Sequence, residues 1–134
     1  MIVLNYKQSA VQTFFVNPQQ AYKYLSHTPQ DLLFEFKSQE SGKTYLKVLT
    51  PTVENERYSK FQLRTDQNTA TDILFESGGF YDYTIYGNSV RYNTDPDASS
   101  ILGIVERGLM EIVVKGQTGT MPDLSIPDNV VYYE

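Results

Sequence analysis

Ser77-Gly78-Gly79-Phe80-Tyr81-Asp82-Tyr83-Thr84-Ile85-Tyr86 is the stretch whose reading decides the fold. Two adjacent glycines allow a sharp corner, because each can adopt positive φ without a steric penalty. After the corner the side chains alternate. Tyr81, Tyr83 and Ile85 fall on one face, while Phe80, Asp82, Thr84 and Tyr86 fall on the other. Aromatic and β-branched residues at a period of two specify a strand.

The same period recurs on either side. Upstream, Ile2-Val3-Leu4 and Val11 to Val16 read as strands, and Asn17-Pro18 offers a cap and a first helical position. Leu32, Phe34 and Phe36 share one strand face, opposite Glu35 and Lys37. Ser41-Gly42-Lys43 then turns the chain into a returning strand, Thr44 to Leu49. Pro51 to Glu56 reads as a polar link, followed by strands over Tyr58 to Arg64 and Thr71 to Phe75. Downstream, Gly87 to Ser100 is a polar loop. A closing strand runs from Ile101 to Lys115, with Gly108 marking a bulge. No window sustains a 3.6-residue period over the ~10 residues a helix needs. The chain therefore reads as all-β.

The Gly-x-Tyr-x-Tyr spacing of Gly79, Tyr81 and Tyr83 resembles the corner that opens strand F of immunoglobulin-like domains. In those domains a tyrosine hydroxyl folds back onto the backbone of the corner. The expected architecture is an immunoglobulin-like antiparallel β-sandwich, with a jelly roll as runner-up. The Cys…Trp…Cys signature of antibody domains is absent, since the chain has no cysteine and no tryptophan. The expected boundaries are a sandwich domain over residues 1–116 and an extension over residues 117–134, which ends in the strand-like run Val130-Val131-Tyr132-Tyr133.

Composition narrows function. The chain has 134 residues and a net charge of −5, with 11 basic against 16 acidic side chains. That balance argues against a nucleic-acid binder, which carries a basic stripe. The longest uncharged apolar run falls well short of the ~20 residues of a membrane span, and the first residues lack the pattern of a secretory signal. A single histidine, His27, leaves little material for acid–base catalysis at neutral pH, and no Gly-x-Ser-x-Gly elbow accompanies it. The expectation is a protein that is not an enzyme and uses no cofactor.

Asp95, Asp97, Ser99 and Glu106 occupy the first, third, fifth and twelfth places of a calcium-loop template. Ser100 stands where the template needs its glycine, Pro96 interrupts it, and Glu106 belongs to a strand. An Asp-Pro turn is the better reading, and no metal site is expected. Carboxylates on strand faces, such as Glu35, Glu40, Asp72, Glu76 and Asp82, show no paired spacing. The 11 tyrosines are the remaining feature. Tyr6, Tyr92, Tyr132 and Tyr133 fall in loops or near the chain ends, where tyrosine among short polar residues suits an adaptable contact surface. Protein contact is the first reading of that surface and carbohydrate binding the second.

The order of motifs carries a further resemblance. Leu33-Phe34-Glu35-Phe36, Arg57-Tyr58-Ser59-Lys60-Phe61, the Gly78–Tyr86 segment, Asn93-Thr94-Asp95-Pro96 and Gly103-Ile104-Val105-Glu106-Arg107-Gly108 follow one another. The series resembles small auxiliary head and neck proteins of tailed bacteriophages. It spans Ile2 to about Val114. The resemblance implies a non-catalytic virion component, most simply a capsid decoration or cement protein touching the major capsid protein or its own copies. A collar or tail adaptor is the alternative. Contact elements are expected in the arm Ile2, Val3 and Leu4, in the loop with Tyr92, Asp95 and Asp97, and in the run with Val130, Tyr132 and Tyr133.

Overall fold

The computed structural model describes residues 1–26 and 28–114. Its strands are β1 (Ile2–Asn5), β2 (Gln12–Val16), β3 (Asp31–Ser38), β4 (Thr44–Leu49), β5 (Val53–Glu54), β6 (Ser59–Leu63), β7 (Gly79–Asn88) and β8 (Ile101–Val113), with one helical turn, α1 (Gln19–Tyr22). The chain is all-β. A five-stranded sheet has the order β1-β8-β7-β3-β4, and a three-stranded sheet has the order β2-β6-β5. All pairs are antiparallel except β1, which lies parallel to β8.

The two sheets share one core. Phe14 and Phe61 stack at 5.4 Å on the smaller sheet, and both meet Phe34 of the larger sheet edge-on, at 6.0 and 4.9 Å. Phe36, Phe75, Tyr45 and Tyr81 continue the aromatic layer. The alternation in β7 holds: Tyr81, Tyr83 and Ile85 are buried, and Phe80 and Asp82 are exposed. Gly79 sits at the corner with φ of +108°, a conformation that a side chain would strain. The Tyr81 hydroxyl donates to the Ser77 carbonyl at 2.7 Å, closing that corner.

Four expectations change. Pro51 to Glu56 is not wholly a link, because Val53 and Glu54 pair with Lys60 and Ser59 as β5. Thr71 to Phe75 is not a strand, although Ile73 and Phe75 are buried in the core as the alternation required. The Asp72 carboxylate explains the difference. Its Oδ1 accepts the Arg64 backbone N–H at 2.8 Å, and its Oδ2 accepts Gln67 Nε2 at 2.8 Å and the Thr69 hydroxyl at 3.1 Å. A side chain thus takes a backbone donor that a ladder would have used.

Gly108 marks no bulge, since it pairs regularly with Tyr83; the register shifts lie beyond it, between Ile85 and Tyr86 and between Gly87 and Asn88. A Cβ on Gly108 would stand 2.6 Å from the Tyr83 hydroxyl, so the glycine makes room for a ring. The N-terminal segment is no loose arm. Ile2 and Leu4 are core residues, and Gln12 clamps Asn5 through both backbone groups, at 2.5 Å to its N–H and 3.1 Å to its carbonyl. Thr65 donates to the same carbonyl at 2.5 Å.

Candidate functional site

Strand polarity brings three connections to one end of the molecule. Asp31 opens β3 beside Asn88, the last residue of β7, and Leu32 pairs with Leu49, the last residue of β4. The β2–β3 connection with α1, the β4–β5 connection and the 89–100 loop therefore meet there. Two of the concavities at this end adjoin each other and share Leu49, Thr50 and Thr52. One, of about 420 Å³, is lined by Tyr22, Gln30, Asp31, Thr52, Glu54 and Arg91 among others. The second, of about 460 Å³, runs along β4 past Leu46, Val48, Thr50, Tyr92 and Thr94.

Tyr92 lines the second, and Arg91 before it lines the first. Tyr92 is 76% exposed, its φ is +62°, and its backbone N–H donates to the buried Asp31 carboxylate at 2.6 Å. The Arg91 guanidinium lies 5.5 Å from the Tyr92 ring centre. A buried carboxylate thus holds the loop in a left-handed conformation that projects an aromatic ring into solvent. Across the cleft, burial and then the nearby Glu54 carboxylate push the Tyr22 hydroxyl up to about 12. At neutral pH that hydroxyl is a hydrogen-bonding group, not a base.

The expected site residues separate. Tyr92 belongs to this end. Asp95 accepts the Asp97 N–H at 2.9 Å in a local turn. Glu106 does not join them, because one oxygen accepts the Tyr83 hydroxyl at 2.6 Å and the other the Asn17 N–H at 3.3 Å. Among the described residues no three acidic or histidine side chains converge as a metal site. In the N-terminal strand Ile2 and Leu4 point inward, and only Val3, 51% exposed, offers its side chain outward. His27, Val130, Tyr132 and Tyr133 lie outside the described residues.

Sequence reasoning missed Asp31, Arg91 and the outer edge of β4. Asp31 precedes an apolar run and reads as the end of a turn, so only the fold reveals its hold on Tyr92. Compared with protein-family models, with curated proteins and with solved structures, the chain matches none significantly. Among the described residues no helix is long and apolar enough to cross a membrane.

Proposed function

We propose that the chain is an immunoglobulin-like β-sandwich acting as a non-enzymatic structural protein of a tailed-phage virion, an auxiliary capsid protein that bridges coat subunits. For the sandwich, the support is strand order. β2-β6-β5 takes the places of strands B, E and D, and β8-β7-β3-β4 those of G, F, C and C′, with Tyr81 as the corner tyrosine. β1 differs from the simplest version of that plan by pairing with β8 instead of β2.

The observation that carries the contact role is the exposed Tyr92 ring on a loop anchored by Asp31, beside the outer edge of β4. Rigid aromatic side chains on pre-organised loops bury area at small entropic cost. The phage assignment itself rests on the motif series that runs from Leu33 to Gly108. Copies of such a protein stabilise a shell by binding the assembled state in preference to free subunits.

Quantitative mass spectrometry of density-purified particles tests the reading, with the tryptic peptide Tyr92–Arg107 as reporter. Copy numbers near that of the major coat protein are expected, and a few copies would move the protein to the neck or tail. Absence from particles overturns the virion role. A second reading, carbohydrate binding, is favoured by the mixture of Tyr22, Gln30, Asp31, Thr52 and Arg91 around the smaller concavity. It requires the isolated domain to bind glycans and to lose that binding in Tyr22→Ala.

A further inference from the structure

Among the described residues, β4 has a strand neighbour on one side, β3. At its start the Ser38 N–H donates to the Lys43 carbonyl at 2.9 Å, which makes Ser38 and Lys43 a bonded pair. Antiparallel alternation then assigns the bonded pairs with β3 to Tyr45, Lys47 and Leu49. The N–H and C=O groups of Leu46 and Val48 point away from β3, toward the groove of about 460 Å³. Neither residue makes a backbone bond outside the sheet among the described residues.

The groove is walled on both faces of the strand. On the core side Lys47 Nζ donates to Asn68 Oδ1 at 3.2 Å and to the Thr69 carbonyl at 2.7 Å, which draws residues 68–71 alongside β4. On the opposite face Asp31 holds Tyr92. A slot between two walls fits one extended segment better than the broad edge of another sheet. Among the described residues that line it, Lys47 alone carries a charge at neutral pH.

We propose that the occupant is the Val130-Val131-Tyr132-Tyr133 run of the same molecule, added as a strand along the outer edge of β4. Three features of the sequence select it. Alternate residues give each face of the run one valine and one tyrosine, so either face meets Leu46 and Val48 with apolar surface. Residues 116–134 carry Asp123, Asp128 and Glu134 and no lysine or arginine, complementing Lys47. Residues 115–129 reach up to about 50 Å when extended, whereas three strand spacings from β8 to β4 cover about 15 Å. A short tether gives an effective concentration of about millimolar, which favours the chain's own run over a second copy. Covering β4 this way also removes an edge that would otherwise template association.

Hydrogen exchange on the full chain and on a chain lacking residues 129–134 tests the contact, with sedimentation on the same samples. The amides of Leu46 and Val48 are expected to exchange about tenfold faster after the deletion, with both proteins monomeric. Val48→Pro removes an N–H that faces the groove and spares the ladder to β3, so it should free the Tyr132 and Tyr133 amides while circular dichroism stays unchanged. Leu46→Lys takes its place if the proline variant is unfolded. Equal exchange of β4 with and without the run overturns the proposal. So does protection that grows with protein concentration alongside a dimer, which would assign the slot to a second copy. The contact stands or falls independently of the virion role, since absence from particles would leave the exchange pattern unaltered.

Discussion

Tyr81 and Tyr83 stand two residues apart on the same face of β7, yet their hydroxyls do different work. Tyr81 closes the corner through the Ser77 carbonyl, and Tyr83 reaches Glu106 after crossing the open Cα of Gly108. Tyr81→Phe should cost about 1–2 kcal/mol of unfolding free energy, as expected for a lost hydrogen bond that leaves a carbonyl short of a partner, read from the urea midpoint at unchanged m-value. Gly108→Ala should cost about 1–3 kcal/mol by overpacking. Most of that loss should vanish in a Tyr83→Leu background, and a double-mutant cycle showing no coupling would refute the close approach.

Titration belongs to the same scale. Burial, and then the Glu35 carboxylate that accepts its proton, push Tyr86 up to about 12. A raised value means that the neutral form supports the fold below about pH 10, and that this support is lost as pH climbs toward 12. Glu35→Gln should bring the tyrosine absorbance transition at 295 nm part of the way back toward 10, because burial remains.

At the level of elements, the link between β6 and β7 does the work of a strand without being one. Burial pushes the Asp72 carboxyl up, but hydrogen bonds from Gln67, the Arg64 N–H and Thr69, with the Arg64 charge, outweigh it and hold the group below its ordinary value. Its contribution is therefore complete above the unfolded-state value of about 4 and is lost as pH falls through the lower folded value. Asp72→Asn should flatten the acid limb of a stability–pH curve, and an unchanged limb would show that the hydrogen bonds carry no net charge preference. Phe75→Ala in the same link should cost about 3–5 kcal/mol, the usual range for a phenylalanine removed from a packed core, by thermal or urea unfolding. A cost under about 1 kcal/mol would mean that the link is dispensable.

For the whole molecule, the buried core found among the described residues runs from Ile2 to Ile112. A chain ending at residue 116 should therefore unfold in one cooperative transition, as the expected domain boundary requires. A broad, non-cooperative melt would move that boundary. The two sheets come together through Phe14, Phe34 and Phe61, and among the described residues β1 and β4 are the outer strands of the larger sheet. β1 is protected by its shortness and by the Gln12–Thr65 clamp on Asn5, whereas β4 carries the walled slot. The molecule's two ends are thus unequal: one is stapled by the clamp, and the other gathers the loops.

The amino-acid sequence by itself determined the class, the β3–β4 hairpin and the inward faces of β3, β6 and β7. These follow from a period of two between turn residues, and burial must obey that period once a strand forms. It also determined the Tyr81 corner, because glycine before an alternating aromatic run leaves few backbone alternatives. Only the tertiary structure decided that Ile73 and Phe75 pack from a loop, that β5 exists as two paired residues, and that Gly108 serves a ring. It alone joined Asp31 to Tyr92. Each of these depends on a partner beyond the neighbours that alternation reads: Arg64 and Lys60 lie across a turn, and Tyr83 and Asp31 act from distant parts of the chain. Local periodicity records which way a side chain faces, and carries no record of what it will meet.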